Sequence, residues 1–432
     1  MEKHLSWNKV PRITPTQTDY IQNTDFQFSQ YDGSLTIHGL GRSYGDVCLT
    51  KNGTMLVSTG INRLIEFEPQ EGTIVAEAGI TLDEILHLIT NKGWFLPVVP
   101  GTRYITLGGA VANDIHGKNH HQVGSFGNYV KRFGLLRSSG ENLTCSEDLN
   151  KDLFHATIGG LGLTGVITWV EISLSPIKSK FIEISTERFE HIQDYWIVNK
   201  ELEKDWEYTV AWIDCLSNEK KLGRGVFLSG QHTEETTSHI NYKDRKITFP
   251  FEPPFSFVNN LSGKLVNTLY YRINSSKKSS IKHYQPFMFP LDAVNKWNRV
   301  YGRKGFFQYQ CVFPPEVSEY GVKEVLKIIR KSNQKSYLGV VKNFGNIESK
   351  GILSFSRPGT TLALDFRNKG QETLNLFQQL DSVVAQLKGA LYPAKDARMS
   401  GEMFRASFPR YEEFLKFVDP KFSSSFWERV SR

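Results

Sequence analysis

Residues 100–128 read PGTRYITLGGAVANDIHGKNHHQVGSFGN, and this stretch restricts the architecture more than any other part of the chain. Gly101, Gly108, Gly109, Gly117, Gly124 and Gly127 stand among His116, His120 and His121. No strand alternation runs through it, and a helical pattern is confined to residues 107–115. Such a segment makes a poor core. It suits a backbone that passes close to a flat or phosphorylated ligand, because glycine permits tight approach and leaves N–H groups free to point at it. A second run, Gly39-Leu40-Gly41-Arg42-Ser43-Tyr44-Gly45-Asp46, lies upstream. Together the two runs point to a large cofactor.

At 432 residues the chain exceeds one ordinary core, so two domains are expected. No apolar run approaches the roughly 18–20 residues that span a bilayer. The start, Met-Glu-Lys-His-Leu, lacks the basic and then apolar pattern of a signal peptide, and a cytoplasmic protein is expected. Cys48, Cys145, Cys215 and Cys311 form no CxxC pair, which favours reduced thiols. The formal charge of +7 suits a phosphorylated substrate or an anionic membrane surface, or reflects ordinary surface lysine. With basic residues dispersed and no finger spacing, nucleic acid is not an expected partner.

Short strands are expected at 34–37, 55–58, 64–67 and 73–78, with a turn at 70–72. Thr81 and Glu84 have capping-box spacing before the apolar face Leu82, Ile85, Leu86 and Ile89. Residues 133–136 and 142–145 read as a hairpin. A third glycine turn, 159–165, feeds a strand at 166–174. Beyond Pro176 the aromatic and β-branched segments 208–213, 225–228 and 306–312 suggest a mainly antiparallel sheet. Residues 250–285 read as an irregular, aromatic and basic mobile loop, with Lys277 and Lys278 in a serine-rich stretch. Helices are expected at about 316–331 and 372–388, the second stopped by Gly389.

Gly39–Asp46 is G-x-G-x-x-x-G, without the third-glycine spacing of a Rossmann turn or the Lys-Ser/Thr of a P-loop. It can still form a nest of N–H groups for a pyrophosphate, with Arg42 adding charge, or be a plain turn. His116 and His120 have H-x-x-x-H spacing. Gly117 and Asn119 disfavour a helix there, and no glutamate supplies HExxH, so no metal is expected. Gln308 and Gln310 flank Tyr309 on an expected strand and point the same way. Lys342, Ala363 and Asp365 on neighbouring strands could line the same floor, and Lys395 follows the last long helix.

GLGRSYGD (39–46), the 100–128 segment, GGLGLTG (159–165), FQYQ (307–310) and YPAKD (392–396) occur in that order. Over essentially the whole chain they resemble the decaprenylphosphoryl-β-D-ribose 2-oxidase family, FAD-linked oxidases related to vanillyl-alcohol oxidase and alditol oxidase. The resemblance implies an α+β fold. A two-part FAD-binding domain of the vanillyl-alcohol oxidase type, residues 1–178 and 390–432, would enclose a substrate domain, 179–389, built on a mainly antiparallel sheet. It implies that Gly39, Leu40, Gly41, Arg42, Ser43, Tyr44 and Gly45 hold the pyrophosphate beside Gly101, Thr106, Leu107, Gly108 and Gly109. Asn113, Asp114, Ile115 and His116 would run along the flavin, with Val166 and Tyr392 completing the site. Some relatives attach flavin covalently through a histidine in the first glycine loop. Ser43 or a neighbour fills that place here, so non-covalent FAD is expected.

The resemblance further implies that Lys395 meets the reacting oxygen and that either Lys395 or His116 is the base. Gln308, Gln310 and Lys342 would contact sugar and phosphate, beside Asp365, and Trp212 would form a pocket wall. Some members carry a cysteine, trapped by nitroaromatic inhibitors, where Ala363 stands, so resistance to that capture is expected. A Tyr-His pair of those members appears here as Met288-Phe289. The expected activity is oxidation of a secondary hydroxyl of a polyprenyl-phosphoryl sugar. It would be the oxidising half of a 2′-epimerisation, with a separate NAD(P)H-dependent short-chain reductase as partner and 250–285 meeting the membrane's inner face. A soluble alditol or aldonolactone oxidase, or a flavin-free binding protein, are the alternatives.

Overall fold

The computed structural model describes residues 4–234, 242–274 and 278–432. Three sheets organise the chain. Gln17–Tyr20, Thr54–Val57 and Leu35–His38 form a small parallel sheet with Thr54–Val57 at its centre. Leu64–Glu68, Thr73–Glu77, Val166–Ser173, Val130–Leu136 and Asn142–Ser146 form a five-stranded antiparallel sheet in that order. The expected 133–145 hairpin is therefore present, with Val166–Ser173 beside it.

The third sheet has eight strands, all paired antiparallel. Its order is Lys278–His283, Phe181–Phe189, Gly225–His232, Tyr208–Ile213, Gly339–Phe344, Gly359–Arg367, Phe306–Phe313 and Ala390–Leu391. Its two faces differ. Phe307, Tyr309, Cys311, Leu362 and Leu364 are buried against the helices Ser318–Lys331 and Gln371–Gln386. Gln308, Gln310 and Ala363, one residue out of phase, face the opposite side and line a cavity. The period of two thus separates core from site on the same strands.

Local chemistry explains the helix ends. The Thr81 hydroxyl accepts from Glu84 N–H, and the Glu84 carboxylate accepts from Thr81 N–H, starting Leu82–Ile89 where expected. Gln371–Gln386 ends differently from expectation. Lys388 takes the left-handed conformation (φ +53°), whereas Gly389 is required by close approach: a Cβ there would lie 2.6 Å from the Val312 carbonyl oxygen.

The largest correction concerns residues 250–285. Instead of a loop they include the fourteen-residue helix Asn260–Ile273, the edge strand Lys278–His283 and the helix Tyr284–Met288. The Asn259 side chain accepts from Leu261 and Ser262 N–H and caps the long helix. The sequence hid it because its buried positions are Gly263, Asn267 and Tyr271, the reverse of an ordinary apolar stripe. Lys277 lies outside the described residues, and Lys278 is described only as backbone in the edge strand.

The last forty residues return to the first fifty. Leu35 N–H donates to the Lys421 carbonyl and Ser425 N–H to that of Leu49. Arg429 pairs with Asp46 (2.6 Å) and Asp396 (3.2 Å). Among the described residues no helix is long and apolar enough to cross a membrane.

Candidate active site

A cavity of about 970 Å³ lies between the glycine-rich segments and the open face of the eight-stranded sheet. One wall is the loop Gly39–Tyr44. It is tied down at its end, where Trp7 N–H donates to Ser43 O and Tyr44 N–H to Ala394 O. Gly41 is left-handed (φ +60°), and a Cβ there would sit 2.4 Å from the Leu5 carbonyl oxygen. Arg42 stacks on Trp7, 4.2 Å from its guanidinium carbon to the ring centroid. Gly101, Thr106, Gly109, Asn113 and Ile115 continue this wall.

The floor is a cross-strand row. Trp212 pairs with Val340, Val340 with Ala363, and Ala363 with Gln310. Gln308 stands two residues along, and its amide donates to Asp365 at 2.5 Å. Lys342, Tyr392 and Lys395 complete the polar end.

Not every expected residue reaches the cavity. Leu107 and Val166 are buried in the core. Gly108 lines a separate cavity of about 70 Å³ with Gly109 and Asn113. Gly45 is packed on the Asp396 carbonyl, where a Cβ would come within 1.7 Å. Asp114 points away. Its carboxylate accepts from Ser354 Oγ (2.5 Å), Ser125 Oγ (2.8 Å) and Gly127 N–H (2.8 Å), and so fixes the turn that presents Asn113 and Ile115. Asp365 lies under Gln308 and acts on the site by charge. His120 packs on Phe344 (ring centroids 4.4 Å), and His121 lies 3.2 Å from the Trp206 carbonyl.

Electrostatics single out the polar end. Arg42, Lys118, Lys282, Lys342 and Lys395 line the cavity, against one carboxylate, Asp292, among the described residues. Burial lowers Lys395 to about 7, opposed by Asp365, which burial in turn raises to about 7. Burial also lowers Lys118 to about 8, and Lys342 goes well below its usual range under burial and the charges of Lys118 and Lys395. Lys395 Nζ sits 3.6 Å from the Tyr44 ring centroid and has no hydrogen-bond partner among the described residues.

His116 is fully engaged. Its Nδ1 lies 2.7 Å from Lys342 Nζ and its Nε2 3.1 Å from Gln310 Nε2. Burial and Lys342 hold the ring neutral, so it carries one N–H. If the Gln310 amide nitrogen donates to Nε2, the ring proton is on Nδ1 and Lys342 accepts it as a neutral amine. If the amide is turned, Nε2–H donates to Oε1 and Nδ1 accepts from a Lys342 ammonium. Both arrangements are satisfied, and both occupy the two ring nitrogens. Lys118 and Asp292 were not anticipated from the sequence. Lys118 was discoverable, because it follows His116 by two residues in the glycine-rich segment, whereas Asp292 comes from a distant turn and receives the Arg103 N–H.

Residues 12–146 match the model of a family described as an FAD binding domain. The decaprenylphosphoryl-β-D-ribose oxidase of Mycolicibacterium smegmatis is 35% identical over 397 residues, 88% of this chain and 85% of the relative. The chain belongs to the decaprenylphosphoryl-β-D-ribose oxidase family. Shorter similarities reach L-gulonolactone oxidase of Scyliorhinus torazame (26% identical, 38% of this chain and 36% of that protein). They also reach Delta(24)-sterol reductase of Macaca fascicularis (28% identical, 30% of this chain and 24% of that protein).

The chain is an FAD-dependent oxidoreductase with the α+β fold of that class. Its residues fit the cofactor on their own evidence. Gly101 has no atom within 4 Å of the position a Cβ would take, so its backbone is open to the cavity. The buried Asn113 Oδ1 has no protein partner among the described residues. Arg42 and the glycine loop offer positive charge beside exposed backbone, as a pyrophosphate requires.

Proposed function

We propose that this enzyme oxidises the 2′-hydroxyl of a polyprenyl-phosphoryl ribose. The carrying observation is that one cavity joins a glycine and arginine wall, a sheet floor bordered by Lys118, Lys342 and Lys395, and an apolar end formed by Ile184, Val210, Leu228, Val266 and Phe287. A cofactor pyrophosphate suits the first, a sugar phosphate the second and a prenyl chain the third. We assign FAD, held without a covalent bond, to residues 1–178 and 390–432. Gly39–Tyr44, Gly101, Thr106, Gly109, Asn113, Ile115 and Tyr392 are its contacts, and residues 179–389 bind substrate.

Bound FAD supplies the two-electron acceptor for the carbinol C–H. Lys395 takes the hydroxyl proton as a neutral amine. Its lowered pKa favours this role near neutral pH, and both His116 nitrogens are already committed. The ammonium so formed stabilises negative charge that develops beside it. His116 positions Gln310 and Lys342, which hold the sugar and its phosphate with Gln308. Ala363 leaves no thiol in that row, so nitroaromatic capture there is not expected. A separate NAD(P)H-dependent short-chain reductase completes the 2′-epimerisation.

The test is product analysis after a single turnover with polyprenyl-phosphoryl-β-D-ribose. A product lighter by two hydrogens, with its carbonyl at C2′ and returned to a 2′-hydroxyl by an added reductase, supports the reading. Peroxide release with free alditols or aldonolactones, and no oxidation of the lipid-linked sugar, transfers the assignment to the soluble oxidase.

A further inference from the structure

The helix Asn260–Ile273 is amphipathic in the wrong direction for water. Its buried residues are Gly263, Asn267 and Tyr271. The helix is pinned by polar contacts: Asn267 Nδ2 donates to Asp214 at 2.8 Å, Tyr271 hydroxyl to Glu190 at 3.0 Å, and Tyr337 hydroxyl to Asn260 at 2.9 Å. The outward face carries Leu261, Leu265 and Leu269 at 81%, 71% and 56% exposure, with Val266 and Ile273 also exposed. A soluble helix buries its apolar stripe and wets its polar one. This one does the opposite, which places a largely apolar face, with Lys264 and Arg272 exposed on it, outside the protein.

The surface extends beyond the helix. Phe251, Phe255 and Phe257, just before it, are exposed and cluster with one another. Charge selects the occupant. Residues 253–291 contain Lys264, Arg272, Lys277, Lys278 and Lys282 and not one Asp or Glu. Glu252, between Phe251 and Phe255, is paired with Lys9 at 2.5 Å, so an apolar face with aromatic flanks and an excess of positive charge is complementary to anionic lipid headgroups over acyl chains. A second copy of the chain would bring the same positive charge against itself. The position agrees, because Val266, Tyr270, Ile273 and Asn274 also line the cavity.

We infer that this helix and the phenylalanines before it rest in the headgroup layer of an anionic bilayer, setting the cavity mouth against the lipid surface. Its purpose rests on the lipid-linked substrate, but its test does not use one. Full-length, flavin-loaded protein is floated with vesicles of phosphatidylglycerol and phosphatidylcholine, and with phosphatidylcholine alone. We expect flotation with the first and binding weaker by at least about tenfold with the second. The variant Leu261→Gln/Leu265→Gln/Leu269→Gln is expected to stay in solution with its flavin spectrum and thermal midpoint unchanged. Should that variant fail to load flavin, Lys264→Glu/Arg272→Glu carries the same test and must lower binding to the anionic vesicles. Wild-type protein that does not float with anionic vesicles overturns the inference. If the same preparation is still reduced by lipid-linked ribose in detergent, the proposed function stands without it. Vesicle binding unchanged by either variant overturns it, as does a dimer that depends on the three leucines in place of vesicle binding.

Discussion

Burial pulls Lys395 toward the neutral amine, while the carboxylate of Asp365 pulls it toward the ammonium, and the balance falls at about 7. A lysine on the surface titrates far above that value and cannot serve as a base near neutrality. Two outcomes follow for these side chains. Lys395→Ala keeps bound flavin and lowers kcat by roughly 10²–10⁴-fold, the usual share of a positioned proton acceptor. Visible absorbance and steady-state rates check it, and full activity would remove Lys395 from the mechanism. With the neutral Lys395 amine proposed as the base, kcat/KM is expected to rise with pH through about 7. Asp365→Asn removes the charge that raises the lysine, so the rising limb moves to lower pH. A limb that stays in place would mean that another group titrates. From sequence, Gln308 and Gln310 were legible as one face because strands have a period of two, whereas Lys342, on a separate strand, entered only as a candidate for the same floor. The closed hydrogen bonding of His116 was not legible, since Gln310 and Lys342 lie about two hundred residues away along the chain.

At the scale of loops and strands, two glycines separate folding from binding. Gly45 has φ +153° and no room for a Cβ against the Asp396 carbonyl, whereas the Cβ position of Gly101 meets nothing within 4 Å. Gly45→Ala is therefore expected to displace the junction between the first glycine loop and the C-terminal segment, with a marked drop in thermal midpoint. Gly101→Ala is expected to keep the fold and weaken FAD retention. Thermal melts of apo- and flavin-loaded protein distinguish them, and equal behaviour of the two variants would contradict this division. The glycine segments and the first helix were readable because caps, turns and close approaches are local. The row Trp212, Val340, Ala363 and Gln310 depends on register across four strands, which no local pattern encodes. The helix Asn260–Ile273 escaped for a different reason: its exposed stripe is the apolar one, so the ordinary reading of amphipathicity points the wrong way.

Across the whole molecule, buried histidines make stability depend on acidity. Burial lowers His38 and His283 from 6.5 to about 4 and His120 to about 3. Between those values the unfolded chain binds protons that the folded chain refuses. Their contribution is complete above about pH 6.5 and is lost as pH falls toward 4. Burial raises Asp46 and Asp114, which oppose the trend, so a comparison isolates the histidine share. His38→Asn, which retains a donor to the Cys48 carbonyl, should flatten the loss of denaturation midpoint between about pH 7 and pH 4.5. Identical slopes for variant and wild type would contradict it. The glycine segments, the open sheet face and the apolar end converge on one cavity, so a single substrate can be asked to report on all three. The deciding measurement is anaerobic mixing of the flavin-loaded enzyme with polyprenyl-phosphoryl-β-D-ribose while the flavin absorbance is followed. The account predicts bleaching by this substrate and none by free ribitol. Flavin that stays oxidised with the lipid-linked sugar but is bleached by the free polyol would contradict it.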